Sequence, residues 1–199
     1  MKYVPRDMPV VLTAAVYQVT KNKNLTSDPN DTTGWYSVQT GEIRSRGIEL
    51  EAKAAVNENI NVTAAYSYTD AEYTEDTTFN GQRPAEVPRN QASLWTDYTF
   101  YDTALSGLTF GAGVRYTGST VSYYKNVTAQ KNEAFNVAGY TVADAMVKYD
   151  LGRFGLPGSS VAVNVNNLFN REYVSSCYSE YACYWGAERQ VVATATFRF

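Results

Sequence analysis

The 199-residue chain carries 17 basic and 20 acidic residues and no histidine, for a formal charge of −3. The missing imidazole excludes Ser-His-Asp and Cys-His catalysis and His-ligated zinc, and the lack of a basic cluster argues against nucleic acid. No run of 18 apolar residues occurs, which excludes a transmembrane helix but not a β-barrel, whose polar lumen face dilutes the apolar signal. Tyrosine is the outlier at 17 residues; its apolar ring and polar tip suit interfaces and membrane girdles.

Lys2 and Arg6 ahead of an apolar run superficially resemble a signal peptide, but no small-x-small site follows. Pro9–Thr20 is read as a strand and Lys21–Gly41 as a polar loop. An exported barrel needs a signal, so the chain is expected to be incomplete at its front. In Glu42–Val56, Ile48, Leu50, Ala52, Ala54 and Val56 share one face, with Glu49, Glu51 and Lys53 on the other. Arg44 and Arg46 break that parity, and a bulge at Gly47 is expected to turn them inward with the other charges. After the tight turn Asn57–Asn59, Ile60–Tyr73 sets Ile60, Val62, Ala64, Tyr66 and Tyr68 opposite Asn61, Thr63, Ser67 and Thr69.

Thr74–Pro88 is a polar loop, Asn90–Asp102 a strand, Ala104–Gly107 a turn and Leu108–Gly118 a strand. Ser119–Val137 is another long polar loop, followed by the strand Gly139–Leu151, the turn Gly152–Gly158 and the strand Ser160–Leu168. Phe169–Ala187 is the last loop. In the last strand, Glu188–Phe199, Val191, Ala193, Ala195, Phe197 and Phe199 share a face.

Loop length alternates long and short through all eight strands. Transmembrane barrels have this habit, with short periplasmic turns and long outer loops, whereas a soluble sandwich has no reason for it. Tyr98, Phe100, Phe110, Tyr149, Phe197 and Phe199 then gather in the inner girdle, and Tyr66, Tyr68 and Tyr116 approach the outer one. The inward charges Arg44, Arg46, Glu49, Glu51, Lys53, Asp97, Arg115, Asp144, Lys148 and Arg198 are too many for a filled narrow barrel. They favour a segment of a wide barrel over the alternative, a self-contained eight-stranded barrel acting as a passive pore or adhesin.

Several stretches resemble a known family. Arg46–Glu51 (RGIELE) and Asn166–Tyr173 (NNLFNREY) look like barrel motifs of TonB-dependent receptors, and the terminal Phe199 resembles the outer-membrane assembly signal. Tyr66–Tyr73 (YSYTDAEY), Ala92–Phe100 (ASLWTDYTF) and Cys177–Phe199 are similar to the ferrichrome receptor branch, which takes up ferric hydroxamate siderophores. The resemblance implies an all-β, antiparallel barrel of about 22 strands in the Gram-negative outer membrane. Residues 1–199 would supply about eight strands of its C-terminal part, without plug, signal peptide or TonB box.

It further implies transport rather than catalysis, with a ferric siderophore as ligand and no covalent cofactor. The implied partners are outer-membrane lipid and lipopolysaccharide, the barrel assembly machinery, TonB through the plug, and phage or bacteriocins. Cys177 and Cys183, in the last outer loop, are expected to form a disulfide, because export compartments are oxidising and two thiols are an incomplete metal set. The family places a siderophore-contacting aromatic directly after the first of these cysteines, which makes Tyr178 the expected contact and Tyr181 a second candidate. The family residue there is Phe.

Overall fold

The computed structural model describes residues 1–3, 9–101, 104–126 and 131–198. Strand β1 (Lys2–Tyr3) is short, and β2 (Val10–Ser27), β3 (Ser37–Ala55) and β4 (Ile60–Glu75) are long. There follow β5 (Asn90–Thr99), β6 (Leu108–Thr117), the hairpin β7 (Thr120–Asn126) and β8 (Lys131–Val137), and β9 (Tyr140–Asp150). The rest are β10 (Ser160–Asn166), the hairpin β11 (Val174–Ser179) and β12 (Ala182–Trp185), and β13 (Gln190–Thr196). β1 to β6 continue through β9, β10 and β13 as one nine-stranded sheet, antiparallel throughout, while β12, β11, β7 and β8 form a second sheet of four. Among the described residues the large sheet does not close on itself, in contrast to the self-contained eight-stranded alternative.

The eight expected spanning strands are all present, and the long and short connections fall on opposite ends of the sheet. Three expected loops are largely strand instead. β2 and β3 run on to Ser27 and from Ser37, and hairpins occupy much of Ser119–Val137 and Phe169–Ala187. The reason is that the buried positions of these segments are mostly small or polar, Thr26, Thr120, Ser122 and Cys177 among them, so no apolar alternation reveals the strand. At 18 and 19 residues, β2 and β3 exceed the roughly 9–11 needed to cross a bilayer, and project about 25 Å beyond it at about 3.3 Å per residue.

Register fixes the faces. From Ile43↔Tyr73 to Ala55↔Asn61 the β3–β4 pairing has no slip, and β2 pairs with β3 unbroken from Val10↔Ala54 to Asn22↔Glu42. The bulge expected at Gly47 is therefore absent. Arg44 and Arg46 lie on the face of Ile48 and Leu50, outside rather than in the lumen. They read as inward because their charge was matched to Glu49 and Glu51, whereas the unbroken register puts them on the opposite face. The register shifts lie higher, between Asn22 and Thr26 and between Glu42 and Ile43.

On the outer face, Ile48, Leu50, Leu94, Val114, Val147 and Val163 are exposed apolar side chains, as a lipid-facing surface requires. At its periplasmic margin Phe100 meets Tyr98 and Phe110 edge-on, with ring centroids 4.8 and 6.2 Å apart. The opposite face carries Glu49, Glu51, Lys53, Asp97, Arg115, Asp144 and Lys148.

Two glycines on that face receive aromatic rings. The Tyr17 ring crosses Gly47 to share a 2.8 Å hydroxyl hydrogen bond with Thr69. Trp95 lies over Gly113, where a Cβ would stand 2.5 Å from the indole. This is the familiar covering of strand glycines by aromatic neighbours.

The edge of β2 is partly covered. Lys2 and Tyr3 pair with Thr13 and Leu12, and the Met1 ammonium donates to the Ala14 carbonyl at 2.6 Å. Among the described residues β13 pairs only with β10. Phe199, the expected assembly signal, lies outside the described residues. Substituting Gly47→Val or Gly113→Val should destabilise the sheet by about 1–3 kcal/mol through overpacking against Tyr17 or Trp95. The measurement is the temperature at which the compact, heat-modifiable form disappears on electrophoresis, and each variant should lose it earlier.

Candidate functional site at the loop-bearing end

Asp144 on β9 anchors the end from which the long loops emerge. Its carboxylate accepts from Arg115 Nε at 2.6 Å and Arg115 Nη2 at 3.0 Å, across the β6–β9 pair. Its side chain is only 11 % exposed against 55 % for Arg115, so the carboxylate sits in the wall and the guanidinium faces outward from it. The lumen-facing position opposite Asp144 is Gly113, and this leaves room for the diagonal approach of the arginine.

The same carboxylate accepts the backbone N–H of Asn167 at 2.9 Å. Asn167 and Asn170 both adopt left-handed backbone conformations, φ 51° and 50°, which asparagine tolerates better than most side chains. The Asn167 amide donates to the carbonyls of Arg171 and Ala187 at 2.8 and 3.0 Å, and its carbonyl oxygen accepts the Arg171 N–H at 2.8 Å. The Arg171 guanidinium donates to the Thr141 carbonyl, and Asn170 accepts the Arg189 N–H at 2.7 Å. The NNLFNREY stretch is thus a hydrogen-bonded corner that fixes both feet of the β11–β12 hairpin to the barrel wall. Tyr173 completes it by stacking on Tyr140, centroids 4.1 Å apart, and covering Gly186.

Above the corner, Cys177 and Cys183 face each other across β11 and β12 and are joined by a disulfide, as expected. Closing so small a loop stabilises the hairpin by about 2 kcal/mol on the chain-entropy account. A parallel bridge between Ser179 and Tyr123 brings β11 against β7. Tyr123 belongs to an aromatic cluster with Phe79 and Tyr73, centroids 5.0 and 5.8 Å apart, and donates its hydroxyl proton to the Arg83 carbonyl at 2.6 Å.

Tyr178 directly precedes Ser179, the residue that bridges to Tyr123, and 69 % of its surface is open. Tyr181 stands at the tip, 92 % exposed, and a hydrogen bond to the Glu180 carboxylate pushes its phenol upward in pKa. The two expected contact residues are therefore not equivalent. Tyr73, Phe79 and Tyr123 were not grouped in the sequence, because Tyr123 lies on β7, far along the chain from the other two, and meets them only where the Arg83 carbonyl accepts its hydroxyl and the Glu86 N–H donates to the Val121 carbonyl.

A second outer feature is the loop between β2 and β3. The Thr33 hydroxyl first, then the Tyr36 backbone N–H, hold the Asp31 carboxyl down at about 2. The ionised carboxylate staples a turn that presents Trp35 and Tyr36 to solvent. Among the described residues no group of three or more acidic, cysteine or histidine side chains converges as a metal site would require.

Comparison with known proteins places the fold. Residues 6–168 match the family described as TonB dependent receptor-like, beta-barrel. The chain belongs to the TonB-dependent receptor family. Along its whole length the receptor chain is 58 % identical to the ferrichrome outer membrane transporter/phage receptor of Escherichia coli K12, of which it covers 25 %. It is 37 % identical to the ferrioxamine B receptor of Salmonella typhimurium and covers 27 % of that protein.

Among solved structures, the unliganded ferric citrate transporter FecA aligns with all of this chain at TM-score 0.74 and 20 % identity, over 30 % of its own length. The ferric-catecholate import receptor Fiu of E. coli K12 aligns at TM-score 0.71 and 25 % identity, again over this whole chain and 26 % of its own. The chain spans about a quarter of the length of the curated relatives it matches. These relationships place it in the outer membrane as barrel wall, and its relatives are named as transporters and receptors.

Replacing Asp144 with Ala should leave the Asn167 N–H without its acceptor and free the Arg115 guanidinium, a loss of about 2 kcal/mol concentrated at the corner. Limited proteolysis should then cut within residues 167–189 first, while the spanning strands stay protected.

Proposed function

We propose that this chain is wall and outer-loop structure of a receptor that imports a ferric hydroxamate siderophore. The observation that carries the reading is Tyr178, exposed on the disulfide hairpin next to Ser179, whose backbone bridges to Tyr123 of the Tyr73–Phe79–Tyr123 cluster at the loop-bearing end. A ferric hydroxamate presents a compact surface of low charge, and open aromatic rings with few polar anchors complement it. The identity with a ferrichrome transporter supports the same ligand class.

In this reading the charged face of Glu49, Glu51, Lys53 and Asp97 lines a lumen filled by a plug domain, and the chain forms the C-terminal part of a wider barrel. Ligand binds from outside, and TonB acting on the plug opens the path inward. The barrel assembly machinery would recognise the terminal Phe199, and phage or bacteriocins would meet the outer loops, as the name of the E. coli relative suggests for phage.

The test is ferric hydroxamate binding to the purified receptor, followed by quenching of intrinsic fluorescence. Truncating an aromatic anchor in a binding patch typically exceeds 1 kcal/mol, so Tyr178→Ala should weaken binding about tenfold, while Tyr181→Ala changes it less than about twofold. Tyr178→Phe should bind nearly as well as the parent, because the ring rather than the hydroxyl makes the contact. Equal effects of the two alanine variants would contradict the assignment.

A further inference from the structure

Asn80–Gly81 is the one Asn-Gly dipeptide in the sequence. It lies in the turn that follows β4, and both residues are exposed. The Gln82 N–H donates to the Phe79 carbonyl at 2.8 Å, which closes a β-turn over residues 79–82. Gly81 stands at the third position of that turn with φ 75°, as a type II turn requires. A Cβ built on Gly81 would meet nothing within 4 Å, so no neighbouring side chain shields its peptide nitrogen.

An asparagine followed by glycine is chemically unstable wherever the chain is free, because a glycine nitrogen has no Cβ beside it to hinder approach. The Gly81 nitrogen, once it gives up its proton, attacks the side-chain carbonyl carbon of Asn80. A C–N bond forms, the bond to the side-chain nitrogen breaks, and ammonia leaves with the proton it gains. Water then opens the resulting succinimide at either carbonyl, which gives aspartate or isoaspartate. The sequence of steps needs water and no other reactant.

In this turn the nitrogen is not free. The Gly81 N–H donates to the Tyr73 carbonyl at 2.8 Å, and the Tyr73 N–H donates to the Gln82 carbonyl at 2.9 Å. The Asp76 carboxylate accepts the Thr78 and Phe79 N–H groups at 2.7 Å each. Attack therefore waits on local opening of the turn, an event that exposed loops undergo far more often than the sheet beneath them. Phe79 is tied to the same event, since its ring packs on Tyr73 and Tyr123 with centroids 5.8 and 5.0 Å apart.

We propose that Asn80 is a site of spontaneous deamidation, gated by the Gly81–Tyr73 hydrogen bond, and that its conversion dismantles the Tyr73–Phe79–Tyr123 cluster. Isoaspartate adds a methylene to the main chain between Phe79 and Gly81. The turn then cannot keep both its own Gln82–Phe79 bond and the pairing with Tyr73. Either product also adds a carboxylate to a segment that already carries Glu75 and Asp76. The outer aromatic patch thus ages with the receptor, whatever ligand that receptor carries.

The test is ageing of the purified receptor at physiological temperature and constant neutral pH, read by peptide mass spectrometry and by enzymatic methyl labelling of isoaspartate. Residue 80 should convert at least about tenfold more slowly in the folded receptor than in the unfolded one, the factor expected where hydrogen bonds must first open. Asp76→Ala, which leaves the Thr78 and Phe79 N–H groups without their acceptor, should recover much of that factor, and Asn80→Gln should abolish labelling here. Chymotrypsin should cut after Tyr123 in the converted receptor and spare it in fresh protein and in aged Asn80→Gln. Equal rates in folded and unfolded parent, a comparison that needs no variant, would overturn the gate. An aged Asp76→Ala receptor left unmodified while unfolded parent converts would overturn the site, and conversion without new cleavage after Tyr123 would overturn its effect on the cluster.

Discussion

The backbone ladder and its period of two are the constraint on which every other feature depends. Once Val10 is set opposite Ala54 and Ile43 opposite Tyr73, each side chain of β2, β3 and β4 has its face decided, and a one-residue slip would exchange lipid for lumen along the whole strand. The cost of a slip is high because each face has its own solvent. Leu50 and Leu94 would enter an aqueous lumen, and Glu49 and Asp97 would enter hydrocarbon. Register is therefore over-determined inside the bilayer, and the shifts that do occur in β2, β3 and β4 lie toward the outer end, where no hydrocarbon faces the strand and a slip costs less.

The same ladder positions the candidate site at a distance. β9 carries Asp144 to the top of the lumen wall, and that carboxylate joins Arg115 to the Asn167 corner. The corner fixes the feet of a hairpin whose own cross-link is the Cys177–Cys183 bond. The hairpin in turn meets β7 at a parallel bridge between Ser179, next to Tyr178, and Tyr123 of an aromatic cluster. Each step is local, yet together they connect the spanning sheet to the patch proposed to touch ligand. Loops that carry recognition need such anchoring, since ordering them only at the moment of binding would cost affinity.

The spanning strands were legible in the sequence because lipid and lumen impose opposite polarities on alternate residues, as at Leu108–Thr117 and Ser160–Asn166. The disulfide was legible for a chemical reason, two cysteines exported together. The outer hairpins were not, since Thr120–Asn126 and Lys131–Val137 place polar residues on both faces and look like loop. The bulge at Gly47 was a mistaken economy that kept all charges on one side. The structure instead keeps the register and lets Arg44 and Arg46 stand outside, above the apolar belt. Of the candidate site, Tyr178 was named from the sequence through family resemblance, and its role stays a proposal. Tyr73 and Phe79 lie far along the chain from Tyr123, and no local pattern announces the cluster.

The central claim is that one uninterrupted register divides β3 between lipid, lumen and headgroup level. Spin labels placed singly at positions 44 to 54, in the protein in outer-membrane vesicles, test it most directly. Positions 48, 50, 52 and 54 should relax with lipid-dissolved oxygen, and 49, 51 and 53 with a water-soluble nickel complex. The labels at 44 and 46 should keep the outward phase while gaining aqueous accessibility. An inversion of phase at residue 47, with 44 and 46 joining the accessibility of 49 and 51, would contradict the account.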